Sequence, residues 1–218
     1  MKRTLITICL IMFMLSLCMG AFAQGKSWEE LTAQYKAIRE QTRKQNDFTK
    51  TMKAIDIAKE ALQKAEKEFG PDDPRLAESL YLLADAYNFG LDYAQAEPLY
   101  KQALSVYEKA RMQETLAYAR VLIGLGTLYS LQGRYGEGLT HYQQALSIIE
   151  KLPKPNTIEL ANLLDYMALV LDFEKGFAAA EPYYKRSIAV KEKVFGTVHP
   201  EVAEAMSVIA SAYLPCKL

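Results

Sequence analysis

The chain has 218 residues, with 26 basic and 26 acidic side chains and no net formal charge. That balance leaves no excess of positive charge, and nothing in the chain resembles the clustered positive surface that nucleic acid requires. The length fits one domain.

The chain opens with Lys2 and Arg3, then an apolar run from Leu5 to Met19, then Ala21-Phe22-Ala23 as a small-x-small cleavage site. This is the pattern of a secretory signal peptide over residues 1–23. The expected mature chain begins at Gln24 and carries 24 basic against 26 acidic residues. The apolar core is short for a membrane span. Two other readings stand beside it. One is an uncleaved N-terminal anchor. The other is a lipid at Cys18, where Leu15-Ser16-Leu17 fits a lipoprotein motif at two positions but places bulky Leu17 where a small residue is needed.

Cleavage removes Cys9 and Cys18, so Cys216 is the remaining thiol, either free or bridging two chains. No intramolecular disulfide is then expected. Gly20 to Ser27 also matches the phosphate-loop pattern G-x-x-x-x-G-K-S. Such a loop works between a strand and a helix, and here an apolar signal core precedes it, so no nucleotide is expected.

Residues 24–47 read as a degenerate N-terminal helix. Ser27-Trp28-Glu29-Glu30 is a capping box. Trp28, Leu31, Tyr35 and Ile38 then make an apolar stripe to about Lys44. A turn fits Asn46-Asp47-Phe48 if the next helix carries about one extra turn.

From residue 48 the chain repeats every 42 residues without a slip. Ala61-Leu62 recurs as Ala103-Leu104, Ala145-Leu146 and Ser187-Ile188, and Ala77 recurs as Ala119, Ala161 and Ala203. A fixed period of this kind marks a solenoid, whose units bury their apolar faces only by stacking. Each unit reads as two helices. In Pro74 to Phe89, Leu76, Ala77, Leu80, Leu83, Ala84 and Tyr87 fall on one helical face. Pro74 suits the first turn, Asp72 and Asp73 are cap candidates, and Gly90 ends the helix. A second helix from about Tyr93 to Lys109 presents Tyr93, Ala96, Leu99, Tyr100, Ala103, Leu104 and Tyr107. Small residues at Ala84, Ala96 and Ala103 invite close helix approach, with tyrosines filling the space beside them.

Two linkers depart from the pattern. Arg111-Met112-Gln113-Glu114 lacks glycine and proline, and Lys151 to Asn156 carries a proline pair. Because the period survives, different turns of the same length are expected. Glu201 to Tyr213 is a first helix without its partner, wettable through Glu201, Glu204, Ser207 and Ser211 and stopped by Leu214-Pro215. It reads as a lone capping helix or as the edge of a longer array.

These columns resemble the tetratricopeptide repeat, in the long form typical of kinesin light chain. Gly196-Thr197-Val198-His199-Pro200 and Gly70-Pro71-Asp72-Asp73-Pro74 are similar to that subfamily's linker, and Leu131 to Tyr135 is similar to its inter-helix turn. The resemblance implies an all-α fold over residues 48–218, a right-handed superhelical solenoid of antiparallel helix pairs. It also implies that first helices line a concave groove. Carried onto this chain, the groove positions are Glu78, Tyr81, Asp85 and Asn88, then Arg120, Ile123, Thr127 and Ser130, then Asn162, Asp165, Leu169 and Asp172, with Glu204, Ser207 and Ser211 from the closing helix.

That set holds five carboxylates against Arg120, so a basic, partly apolar peptide is the expected ligand. The chaperone-gripping carboxylate clamp is represented only by Arg120 and Asn162. The asparagine column of kinesin light chains reads Leu82, Gly124, Tyr166 and Val208. Neither ligand class is therefore implied. His199 precedes a helix-starting proline and His141 shares a column with Leu99 and Tyr183, so both read as structural. No catalytic residue, cofactor or metal site is expected. The resulting expectation is an exported scaffold that binds a protein or peptide segment. The alternatives are self-association through the array ends or Cys216, and a repeat domain of a larger secretion or envelope component.

Overall fold

The computed structural model describes residues 25–44, 48–155 and 157–213. The signal segment, the turn residues Asn46 and Asp47, Leu214-Pro215 and Cys216 lie outside the described residues.

The described residues form helices and no strand: α1 (Trp28–Lys44), α2 (Phe48–Glu68), α3 (Pro74–Phe89), α4 (Tyr93–Lys109), α5 (Leu116–Leu131), α6 (Tyr135–Lys151), α7 (Ile158–Lys175), α8 (Phe177–Phe195) and α9 (Pro200–Tyr213). They pack in consecutive pairs, α1 with α2, α3 with α4, α5 with α6 and α7 with α8, and α9 rests on α8. Successive first helices also touch, α1 with α3, α3 with α5 and α5 with α7. Among the described residues, no helix is long and apolar enough to cross a membrane.

Local chemistry starts the helices where the sequence places them. At α1 the Ser27 hydroxyl accepts from the Glu30 amide at 3.1 Å while the Ser27 amide donates to the Glu30 carboxylate at 2.9 Å, the reciprocal capping box. The first residues of α3 are held by Asp73, whose carboxylate accepts from the Arg75 amide at 2.8 Å. Helix α2 has 21 residues against 17 in α4, which supplies the extra turn. The two irregular linkers end in threonine caps. Thr115 accepts from the Tyr118 amide and Thr157 from the Leu160 amide, so each next helix begins in register without a glycine-proline linker.

Packing follows the small-residue columns. Ala77, Ala84, Ala96 and Ala103 are fully buried, and Tyr100 fills the space they leave. In the next unit Gly126 replaces Ala84, and a Cβ there would stand 2.5 Å from the Tyr142 ring. The ring occupies the room that the missing methyl frees. In α9 the same columns are uncovered. Ala203, Met206 and Ala210 are exposed, whereas Ala77, Leu80 and Ala84 are buried beneath α4.

One turn differs from expectation. Gly90 ends α3 as anticipated, but at φ −75° it uses no glycine-specific conformation. The left-handed position falls on Leu91, at φ 62°. One period later Gly133 takes that position at φ 77°. Leu91 is 68 % exposed, so its side chain returns little burial for the strain.

Two substitutions follow. Ala103→Leu overpacks the α3–α4 crossing and should cost about 1–3 kcal/mol. Leu91→Gly removes a left-handed leucine and should stabilise by up to about 1 kcal/mol, after the larger backbone entropy of glycine is counted. Urea unfolding of both variants beside the parent checks the two signs.

Candidate binding groove

Tyr81, Asp85 and Asn88 are spaced i, i+4 and i+7 on α3, so they share one face of that helix. Arg120, Ile123 and Thr127 hold the matching face of α5, and Asn162 that of α7. The structure brings all seven around a single cavity of about 210 Å3, completed by Arg39, Gly124, Glu159 and Tyr166. A second depression, about 370 Å3, opens beside it between α1 and α3 at Tyr35, Lys36 and Arg39. A third, about 490 Å3, lies where α7, α8 and α9 meet. Asn162, Asp165 and Leu169 form one wall, Tyr184 and Lys191 another, and Glu201, Glu204, Ala205 and Val208 close it. Glu78, Asp172, Ser130 and Ser207 line none of the three. Ser207 donates instead to the Glu204 carbonyl at 2.7 Å, and Ser130 to the Gly126 carbonyl at 2.8 Å. The Ser211 side chain lies outside the described residues.

The charge balance of this face differs from the sequence expectation. Asp85 accepts from the Tyr35 hydroxyl at 2.6 Å and from Arg39 at 2.7 and 3.3 Å. Burial pulls the Arg39 guanidinium down, and the Asp85 carboxylate more than offsets this, so it is held more firmly protonated than usual. Glu78 pairs with Lys36 at 2.7 Å. Arg120 pairs with Glu159 across α5 and α7. Burial alone would raise the Glu159 carboxyl, but the Arg120 hydrogen bond wins and holds it below the usual carboxylate range. Asp165 pairs with the buried Lys191 at 2.7 Å. Three of the five counted carboxylates therefore have a cation beside them, and the N-terminal half of the face is close to neutral.

The cations that the sequence count omitted carried two signals. Lys36 and Arg39 stand one period before Glu78 and Tyr81, in groove columns of the degenerate first unit. Lys191 stands one period after Ile149 and two after Tyr107, a lysine in an otherwise buried apolar column. Such a charge needs a partner, and Asp165 supplies it from the column of Tyr81 and Ile123.

Both histidines are held in local structure. His141 Nδ1 lies 2.8 Å from the Glu137 carbonyl, with its ring 5.2 Å from that of Tyr129. His199 Nδ1 accepts from the Glu201 amide at 3.2 Å, and its ring stacks on Phe195 at 4.5 Å. Among the described residues, no group of three His, Cys, Asp or Glu side chains is placed to hold a metal ion.

Helix pairs stacked with their first helices side by side make a helical repeat array, and the sequence profile described as tetratricopeptide repeat matches residues 50–109 and 117–193. The chain belongs to the tetratricopeptide repeat family. Its tetratricopeptide array is similar in fold to BtubC (BKLC) of P. vanneervenii, at 19 % identity and a TM-score of 0.62, covering 81 % of this chain and 69 % of that one. It is also similar to a kinesin light chain-like protein of Podosopora anserina with nearly identical TPR-like repeats, at 17 % identity and a TM-score of 0.63, covering 87 % and 88 %. Aspartyl phosphate phosphatase F of Bacillus subtilis aligns at 17 % identity and a TM-score of 0.60, covering 86 % of this chain and 50 % of that one. Comparison with curated proteins gives no match.

The tyrosines beneath this face set a pH limit. Burial first, and Asp85 second, push the hydroxyls of Tyr35, Tyr81 and Tyr100 upward, and burial pushes Tyr142 up to about 12. Unfolded tyrosines titrate near about 10. Above that value the folded state therefore holds more protons than the unfolded state, and stability falls as pH rises. The tyrosine contribution should be complete below about pH 9 and lost progressively above about pH 10. Thermal melts across that range, followed by phenolate absorbance, check this.

Proposed function

We propose that this chain is an exported interaction scaffold whose first-helix groove holds a basic, partly apolar polypeptide segment. Tetratricopeptide arrays of this fold support protein partners. The observation that carries the finer reading is the depression between α7, α8 and α9. It sets Leu169, which is 56 % exposed, beside Ala205 and Val208, and it adds the carboxylates of Glu201 and Glu204. Asp165 and Lys191 close their charges on each other there, and exposed Glu204 adds negative charge at the rim of the pocket. A lysine or arginine flanked by apolar side chains fits that chemistry, with the carboxylates steering its approach. Export rests on the basic start, apolar core and small-x-small site of residues 1–23.

The test is a crosslinked pull-down from the host's envelope and culture medium, with the parent beside a Leu169→Lys, Glu204→Lys double variant. Both side chains are exposed, so the variant should melt with the parent. The expected result is a polypeptide captured by the parent and reduced about tenfold or more in the variant, roughly the effect of losing 1.4 kcal/mol. Capture should also weaken with added salt. Equal capture by both proteins overturns the groove assignment.

A second reading has its own observation. In α9 the packing columns at Ala203, Met206 and Ala210 are exposed, although their counterparts in α3 lie beneath a second helix. This favours association of that face with a further helix. Light scattering that shows a monomer at all concentrations counts against a second copy as its source.

A further inference from the structure

The linkers that join a second helix to the next first helix lie along one edge of the array, opposite the turns within units. The last turn of each second helix puts a lysine on that edge, at Lys67, Lys109, Lys151 and Lys193. The linkers answer these lysines differently. Lys109 pairs with Asp72 at 3.4 Å, and Asp72 belongs to a column that continues as Glu114, Asn156 and Val198. The column thus loses its acid along the chain and ends in an apolar side chain. Phe69 and Phe195 also share a column. Phe69 is covered by Trp28, with ring centroids 5.9 Å apart, and by the Arg75 guanidinium at 3.6 Å. Phe195 stacks on the His199 ring and is still 37 % exposed.

The result is a mixed patch at the last two linkers. Lys193 to Val198 is an unbroken exposed run, in which Val198 is 96 % exposed. The packing of α7 on α8 sets the α6–α7 linker beside this run, and that linker adds exposed Lys151 and Lys154. Of the acids near them, Glu150 holds Arg186, Glu159 holds Arg120, and Glu192 is half-buried. Among the described residues, Lys151, Lys154 and Lys193 have no ion-pair partner. Val194, Phe195 and Val198 line none of the three depressions. They stand out from the edge and enclose no groove. A folded partner finds no recess to fill here, whereas a fluid acyl layer closes around a protruding tip. Apolar tips flanked by unpaired lysines suit the boundary of a bilayer, where the tips enter the acyl region and the lysines meet anionic headgroups.

We propose that the α8–α9 linker and its flanking lysines form a docking surface for a membrane that carries anionic phospholipid. Contact at this edge is peripheral, since no described helix is long and apolar enough to cross. The edge is separate from the groove, so the two assignments stand or fall independently.

The test is sedimentation of the chain from Gln24 onward with vesicles of phosphatidylcholine, alone or with about one-third phosphatidylglycerol. Starting at Gln24 removes the apolar run from Leu5 to Met19, which would itself enter lipid. One variant is Val198→Asn, which places there the residue of the preceding unit and changes no charge. The other combines Lys151→Gln with Lys154→Gln. All three side chains are exposed, so both variants should melt with the parent. The parent should partition onto the anionic vesicles about tenfold or more over the neutral ones, and added salt should weaken it. Val198→Asn should lose about fivefold of that binding, and the double lysine variant about tenfold. A parent that stays in solution beside anionic vesicles overturns the proposal, as does equal partitioning onto both kinds. Binding that falls in the lysine variant but is unchanged in Val198→Asn also overturns it. The patch then recognises charge without apolar entry, as a soluble acidic partner would require.

Discussion

Two helix backbones can approach closely only where side chains are small, and this array meets that condition with alanine or glycine in fixed columns. Ala77, Ala84, Ala96 and Ala103 carry no surface to water. The tyrosine that follows each such place, Tyr100, Tyr142 or Tyr184, is buried because the small residue opposite leaves room for its ring. The second helix of each unit is thereby fixed against the first, and the first helices come to lie side by side. The groove follows from the small residues, although none of the fully buried alanines lines it.

The face so formed is polar but largely self-neutralised. Trp28 donates to the Ser79 hydroxyl at 2.6 Å, Tyr35 to Asp85, and Lys36 and Arg39 pair with Glu78 and Asp85. These contacts join α1 to α3 with donors from the degenerate unit. They consume charge that a sequence count assigns to a ligand. At the other end of the face Glu204 on α9 stands exposed. The two ends of the groove therefore differ in chemistry although their backbones repeat.

The periodicity made the fold legible because it constrains many residues at once. Pro74, Gly90, Tyr93 and Lys109 mark helix ends that the structure reproduces to the residue. The groove columns came from the family resemblance, and the residues of α3 and α5 that it named meet in one cavity, save Glu78 and Ser130. The charge of the face was not legible by the same route. Lys36 and Arg39 belong to a helix in which the repeat is faint, and Lys191 belongs to a second helix, outside the columns that were counted. The strain at Leu91 was hidden for a different reason. A glycine stands next to it, and which of two adjacent residues turns left-handed depends on the backbone path rather than on composition.

The Asp165–Lys191 pair bears on how near-identical units find their proper neighbours. In the two preceding units the corresponding columns hold Tyr81 with Tyr107 and Ile123 with Ile149. Units this similar invite misregister during folding, in which a first helix docks on the wrong second helix. Were α7 to take the place of α5 as the within-unit partner of α6, Asp165 would face Ile149 in place of Lys191. Lys191, now 8 % exposed along its side chain, would lose its carboxylate. Leaving such a charge uncompensated costs on the order of a few kcal/mol. The pair thus favours α8 over the other second helices as the partner of α7.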